Sequence, residues 1–202
     1  MKARNIIFRK SDLFSNISKR NRFDLIIFNP PYLPEQKGEP KHISRKISGG
    51  KKGFELLERF FSEVNDYLEK DGKILIVFSS LTNRKKVDEI IDKYGFQFVI
   101  LSTSSIGFEK LFVYEIERTE LLKDFIEKGL CGIQKFAKGR RGLIYKAWFK
   151  GKAVAVKTKL PERFRCPCRS IYSICNRINP VWGIHLRRNF AMFFGYSIDI
   201  VT

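Results

Sequence analysis

Asn29-Pro30-Pro31-Tyr32 places two carbonyl acceptors and an aromatic ring within four residues. That combination suits one chemical problem, the nitrogen of a planar NH2 group. The lone pair of an amide or exocyclic amine is delocalised and must be localised before it can attack a methyl sulfonium. The Asn29 side-chain carbonyl and the Pro30 backbone carbonyl would take both N–H bonds, aim the lone pair and stabilise the positive charge developing on nitrogen. The two prolines fix φ and keep Asn29 out of the helical region, so the loop is stiff. Tyr32 would stack on the planar group. Asn is also an ordinary turn residue, and a double proline often only ends a strand. The surroundings decide between these readings.

Those surroundings alternate strand and helix. Asn5 to Arg9 is a short apolar run, and Leu25 to Phe28 reads as a buried strand between Asp24 and Asn29. Phe54, Leu57, Phe61, Val64 and Leu68 have helical spacing over Gly53 to Leu68, and Asp71-Gly72 supplies turn chemistry to end that helix. Lys73 to Ser79 is a continuous apolar strand, expected in a sheet covered on both faces. Thr82 to Tyr94 reads as a helix with Thr82 as N-cap, Val87, Ile90 and Ile91 inward, and Gly95 beyond its end. Phe96 to Leu101 and Lys110 to Ile116 are two more strands. The order predicts an α/β sheet of the doubly wound kind, in which ligands bind beyond the carboxyl ends of strands, where Asn29 stands.

From about Ile6 to Glu117 the chain resembles the carboxyl-terminal half of HemK/PrmC-like methyltransferases, the shorter archaeal and eukaryotic members most closely. The likeness rests on Ser11-Asp12-Leu13-Phe14, the FDLIIFNPPYLP block from Phe23 to Pro34, Gly49-Gly50 ahead of a helix opening at Gly53, the strand Lys73 to Ser79, and Ser80-Leu81-Thr82. The resemblance implies a partial class I methyltransferase, a Rossmann-like doubly wound sheet lacking its first strands, with S-adenosylmethionine as cofactor. It implies N5 methylation of a glutamine in a release-factor-like protein substrate. Asn29, Pro30, Pro31 and Tyr32 would be catalytic, Asn29 would also meet the cofactor, and Asp12 would contact its adenine amine. A nucleic-acid adenine is the rival target, since the NPPY chemistry is shared, and a nonenzymatic basic RNA- or ribosome-associated remnant is the other alternative. That family opens with a glycine-rich turn, and no Gly-x-Gly occurs in residues 1–162. The polypeptide alone is therefore expected to bind S-adenosylmethionine weakly or not at all, as a portion truncated at both ends.

A second motif lies in KGRRGLIYKAWFKGKAVAVKTK, residues 138–159. Gly139 and Gly142 mark a turn, Leu143 to Ala147 a strand, Lys150-Gly151 a hairpin turn, and a further strand ends at Lys157. This resembles the phosphate-covering loop and following strands of small archaeal protein-kinase-like folds. Gly139, Gly142 and Lys157 would then bind nucleotide phosphates; the alternative is a plain basic hairpin. No catalytic loop or metal-binding motif of that family follows.

Composition divides the chain the same way. Residues 1–162 hold 23 Lys, 10 Arg and 20 acids, whereas residues 163–202 hold no Lys, 6 Arg and one acid, Asp199. Three units are expected: 1–118 methyltransferase-like, 119–162 a kinase-like N-lobe fragment with a small β-hairpin, and 163–202 an irregular tail, either out-of-frame sequence or a small metal or interaction module. Cys166-Pro167-Cys168 with Cys175 departs from zinc spacing, and His185 is distant, so no metal is expected. Hydrophobic content of 44% with 14% aromatics excludes a disordered chain. No apolar run is long enough to span a membrane and no secretory signal is seen, so a cytoplasmic chain is expected. The net charge of +18 suits nucleic acid or a ribosomal surface as partner, or a plain lysine-rich surface. The basic loop Lys37 to Lys52, with a solvated His42, would contribute to substrate contact.

Overall fold

A computed structural model describes residues 6–35, 38, 40, 47–139, 142–159, 190–194 and 197–201. The strands are β1 (Ile6–Lys10), β2 (Phe23–Asn29), β3 (Leu68–Ser79), β4 (Phe96–Ile106), β5 (Glu109–Arg118), β6 (Leu130–Gly139), β7 (Gly142–Phe149), β8 (Lys152–Lys159), β9 (Phe190–Phe194) and β10 (Ser197–Val201). The helices are α1 (Glu55–Glu63), α2 (Arg84–Lys93) and α3 (Glu120–Glu127). Seven strands form one mixed sheet in the order β1-β10-β9-β2-β3-β5-β4, and β6-β7-β8 form a separate antiparallel sheet.

β2 and β3 run parallel, with Ile26 beside Ile74 and Phe28 beside Ile76, and the crossover between them carries α1. This is the α/β unit the sequence pattern predicts. α1 begins with Glu55 and Glu58 in its first turn, where the helix dipole favours carboxylates, and Glu55 accepts from Lys52 N at 3.0 and 3.1 Å. It buries Leu56, Leu57, Phe60 and Phe61. Phe60 stacks on Phe28 with ring centroids 4.3 Å apart, and Phe14 stacks on Tyr67 at 4.3 Å. Ile26, Phe28, Ile74, Ile76, Phe78, Tyr114 and Ile116 are fully buried on the face these helices cover.

The structure corrects several expectations. Leu25, Ile27, Leu75 and Val77, on the other face of β2 and β3, are half-buried among the described residues. The helix expected over Gly53 to Leu68 is shorter, passing at Val64–Asp66 into a 3-10 turn, and β3 already starts at Leu68. Asp71-Gly72 therefore lies inside β3, in a bulge where Phe23 pairs with Leu68 but Leu25 with Lys73. The N-cap of α2 is Asn83, not Thr82; the Asn83 side chain accepts from Lys86 N at 3.3 Å. Val87, Ile90 and Ile91 are inward, as their spacing predicts. α3, which the sequence pattern had not marked, is capped by Thr119, whose hydroxyl accepts from Leu122 N at 3.2 Å and donates to Gly95 O at 2.7 Å.

A sheet lacking its first strands would leave β2 along one edge. Instead β9 runs parallel to it, pairing Leu25 with Phe190 and Asn29 with Phe194, while β10 joins β9 to β1. Part of the tail expected to be irregular thus forms strands in the main sheet; Cys166, Cys168, Cys175 and His185 lie outside the described residues, as does His42. The small sheet gains β6 over the expected hairpin. It docks at the carboxyl end of α2, through Lys135 Nζ to Asp92 Oδ2 at 2.6 Å, and on α3, through the edge-to-face Phe125 and Tyr145 rings at 5.3 Å. Among the described residues no helix is long and apolar enough to cross a membrane.

Candidate functional site

β2 delivers Asn29 to the carboxyl edge of the sheet, beside the carboxyl end of β3. Asn29 is exposed, Pro30 and Pro31 are buried, and Tyr32 is half-buried against the core. Three sets of contacts hold the loop. The buried Thr82 hydroxyl donates to the Tyr32 carbonyl at 2.8 Å. Leu33 forms a parallel bridge with Ser48, with Leu33 N to Ile47 O and Gly49 N to Leu33 O both at 2.9 Å. Glu35 N donates to Gly50 O at 3.1 Å.

Glycine is required where these strands of backbone meet. A Cβ on Gly49 would sit 2.3 Å from Gly53 O and 2.7 Å from Pro31 O. Gly53 has φ +86, and a Cβ there would sit 2.7 Å from Tyr32 O. Only bare backbone fits, so Pro31 to Pro34 is clamped from below. Thr82, Gly49 and Gly53 are thus positioning residues; the pattern around Ser80-Leu81-Thr82 and Gly49-Gly50 signals them, but not what they hold.

The clamp takes up the Tyr32 carbonyl and leaves others free. Among the described residues, the Asn29 carboxamide and the Pro30 carbonyl receive no hydrogen bond from a side chain or loop of the chain. These are the two acceptors an incoming NH2 group needs. Burial, with the Glu109 charge adding to it, pushes the Tyr32 phenol above its usual pKa, so the ring stays neutral and suited to stacking.

Asp12 follows β1, held in a turn by Ser15 N to Asp12 O at 3.1 Å and Asp12 N to Ser15 Oγ at 3.2 Å. The pairings make β1 parallel to β2, so Asp12 and Asn29 share one edge of the sheet. They are three strand spacings apart, roughly 14 Å. The Asp12 carboxylate is half-exposed and paired with Arg59 Nη2 at 2.9 Å.

Gly139 and Gly142 pair at the β6–β7 turn, and Lys157 lies opposite Ile144 on β8 with its side chain exposed. The Lys150-Gly151 turn has φ of 47 and 74, the left-handed pair that closes a two-residue hairpin. These three residues gather at one end of the small sheet and are not joined to the Asn29 site. α2, ten residues and about 15 Å long, has Thr82 ahead of its amino end and the small sheet docked near its carboxyl end.

The chain is 40% identical over 111 residues to a protein of Methanocaldococcus jannaschii named as a protein N5-glutamine methyltransferase, a match covering 54% of this chain and 55% of that protein. It is 29% identical over 113 residues to human methyltransferase HEMK2, covering 54% and 53%. A solved structure of the E. cuniculi Mtq2-Trm112 complex, described as responsible for methylation of the eRF1 translation termination factor, is similar at 24% identity and a TM-score of 0.42, over 54% of this chain and 59% of that one. The chain spans about half the length of the curated relatives it matches. The Eco57I restriction-modification methylase model matches residues 1–105, and by that match over half of its 202 residues the chain belongs to the Eco57I restriction-modification methylase family.

Proposed function

We propose that residues 1–118 form the target-binding part of an S-adenosylmethionine-dependent N-methyltransferase acting on the side-chain amide of a protein glutamine. The observation that carries this reading is the clamped loop, in which Thr82 occupies the Tyr32 carbonyl while, among the described residues, no side chain or loop donates to the Asn29 carboxamide or the Pro30 carbonyl. The name of the M. jannaschii relative supports the target and the reaction, and that of the human relative supports methyl transfer. Asn29 and Pro30 take the two amide N–H bonds, turn the nitrogen lone pair outward and stabilise the charge that grows on it. Tyr32 covers the flat face of the amide. When bound, S-adenosylmethionine supplies the electrophilic methyl group.

The residues present fit the cofactor only in part. Asp12 stands on the same edge as Asn29, but its carboxylate is engaged by Arg59, and no Gly-x-Gly turn occurs in residues 1–162 for the methionine end. Weak binding is therefore expected. Calorimetry of the full chain with S-adenosylmethionine tests this; micromolar affinity would overturn it. The functional test is transfer of labelled methyl to a glutamine-containing peptide, with loss in Asn29→Ala of about 100-fold or more, the scale of removing one preorganised group at a developing charge.

The description of the Eco57I family and the charge of +18 favour a second reading, N6 methylation of a nucleic-acid adenine. An adenine-containing oligonucleotide methylated in place of the peptide would establish it. Contact with the ribosome and a cytoplasmic setting belong with the first reading, where the substrate is a translation factor. For residues 119–162 we propose kinase-like ancestry: the three antiparallel strands, the Gly139/Gly142 turn and Lys157 on the third strand support it. Protection of Lys157 from acylation by ATP would test that site.

A further inference from the structure

Residues 130–159 carry seven Lys, two Arg and no acid, so half of the net charge of +18 resides in this one segment. The segment forms the small sheet, and strand alternation sorts its side chains. On β7, Tyr145 and Ala147 are buried toward the core, whereas Lys146 and Trp148 point to the other face. The register is unbroken across β7 and β8, so Ala155 stands beside Lys146, Ala153 beside Trp148 and Lys157 beside Ile144 on that outer face. The bulge in β6 between Lys135 and Ala137 brings Phe136 to the same face, with Lys146 Nζ 3.9 Å from its ring centroid. Phe136 and Trp148 are 62% and 52% exposed. The indole rests on Gly132, where a Cβ would stand 3.0 Å from Trp148 Cδ1, so the ring is seated rather than loose. The charges are available as well. Among the described residues Lys146 and Lys157 enter no ion pair, while Asp92 is held by Lys135 at 2.6 Å and Asp66, which lines a cleft with Trp148, by Lys19 at 3.1 Å.

We propose that the outer face of β6-β7-β8 binds single-stranded nucleic acid, with bases stacking on Phe136 and Trp148 and phosphates lying on Lys146 and Lys157. Every base has a π-face, so aromatic platforms bind without sequence preference, and cations between them track the backbone. The strand must be unpaired, because a duplex keeps its base faces stacked inside. Lys146 already stands over the Phe136 ring. When a base takes that ring, the ammonium swings on its flexible stem to the adjoining phosphate. Exposed Ala153 and Ala155 leave a shallow open strip beside Lys146 and Trp148 in which the backbone can lie. Ile144 to Trp148 spans roughly 14 Å, on the order of four nucleotides at stacked spacing. An acidic polypeptide would satisfy the lysines but leave the two rings without a use. The inference concerns residues 130–159 and is independent of whether residues 1–118 act on a glutamine or an adenine.

The test is fluorescence anisotropy of the full chain with a short labelled oligouridylate, which contains no adenine and so does not report a methyl-acceptor site. Trp148→Ala and Phe136→Ala should each weaken binding about tenfold, the scale of one lost base stack. Trp148→Phe should keep most of it. Lys146→Gln should weaken binding and make its fall with salt shallower by about 0.7 in log–log slope, the share of one phosphate contact. Arg20→Gln removes the same charge from an exposed position outside the small sheet and should change little. If Trp148→Ala does not fold, Lys146→Gln and Lys157→Gln, at exposed side chains, decide the matter. Absence of binding at low salt overturns the proposal. So does binding that neither aromatic variant weakens, equal binding of a duplex or of poly-aspartate, or an equal loss in Arg20→Gln. Anisotropy of a labelled glutamine-containing peptide should be unchanged in these variants; a parallel loss would put both ligands on one surface and overturn the separate site. If the peptide does not bind at all, the glutamine reading fails while the oligouridylate series still decides this one.

Discussion

The Thr82 hydroxyl donates to the Tyr32 carbonyl at 2.8 Å, across fifty residues of chain. Thr82 is fully buried, so its hydroxyl has no ready exchange with water. Thr82→Val preserves shape and removes the donor, leaving the carbonyl unsatisfied at a cost of ~1–3 kcal/mol. Thr82→Ser should restore most of it. Urea unfolding of the three proteins gives the stability order, and peptide anisotropy should follow the same order as the loop loosens.

Gly49→Ala and Gly53→Ala should damage the loop more than their size suggests. The first drives a methyl to 2.3 Å from the Gly53 carbonyl, and the second adds a left-handed backbone to a 2.7 Å approach on Tyr32 O. Both are contacts with backbone, which cannot swing away, and each should cost ~2 kcal/mol or more. Gly107→Ala is the control: it shares a positive φ but meets nothing within 4 Å. Its melting temperature should fall least of the three.

Arg118 is buried at the end of β5, where its guanidinium donates to Asn65 Oδ1 at 2.7 Å, to Asn65 O and Leu68 O at 2.9 Å, to Lys70 O at 3.2 Å and to Glu69 O. Burial draws its pKa down to about 10, with the charge of Arg22 adding to the effect, and it remains cationic at neutral pH. Arg118→Met would strip donors from the 3-10 turn and the β3 bulge together, costing ~3 kcal/mol or more. Arg118→Lys, whose ammonium cannot match the planar fork, should rescue little. Denaturation midpoints decide this.

Tyr114 links β5 to α2, accepting from Arg84 Nε at 2.8 Å and donating to Asp88 Oδ1 at 3.1 Å. Burial pushes its pKa up to about 12. The folded state therefore holds the phenol proton more tightly than the unfolded chain, in which it leaves near 10. The stability this contributes is complete below pH 10 and is lost as pH rises through 12, by at most ~3 kcal/mol. Thermal melts from pH 9 to 12 should show that loss, and Tyr114→Phe should flatten it.

β2 and the loop that follows it were legible because their signal is local. A continuous apolar run before Asn29 and two prolines after it can be read without knowing what lies nearby. α1 and α2 were legible for the same reason, through Leu57, Phe61, Val87, Ile90 and Ile91. Their ends were not. Thr82 has N-cap chemistry, but its hydroxyl is drawn to Tyr32, and the capping position passes to Asn83 in a left-handed conformation. Asp71-Gly72 carries turn chemistry, yet it is absorbed into β3, where the small Gly72 admits the Phe23 carbonyl. α3 has eight residues and two buried positions, too few for a period to stand out. Nothing in Phe190–Phe194 or Ser197–Val201 announces that their partners are β2 and β1, because pairing across more than 160 residues leaves no local pattern.

Among the described strands, β1 hydrogen-bonds only to β10, which ends at Val201. During synthesis, residues 6–10 emerge long before residues 197–201 and wait for them before their ladder can form. The β2-β3-β5-β4 part can assemble once residue 118 has emerged, whereas closure of the other half of the sheet is necessarily a late event with a long loop to close. Asp12, immediately after β1, reaches its final place beside the Asn29 edge only at that last step.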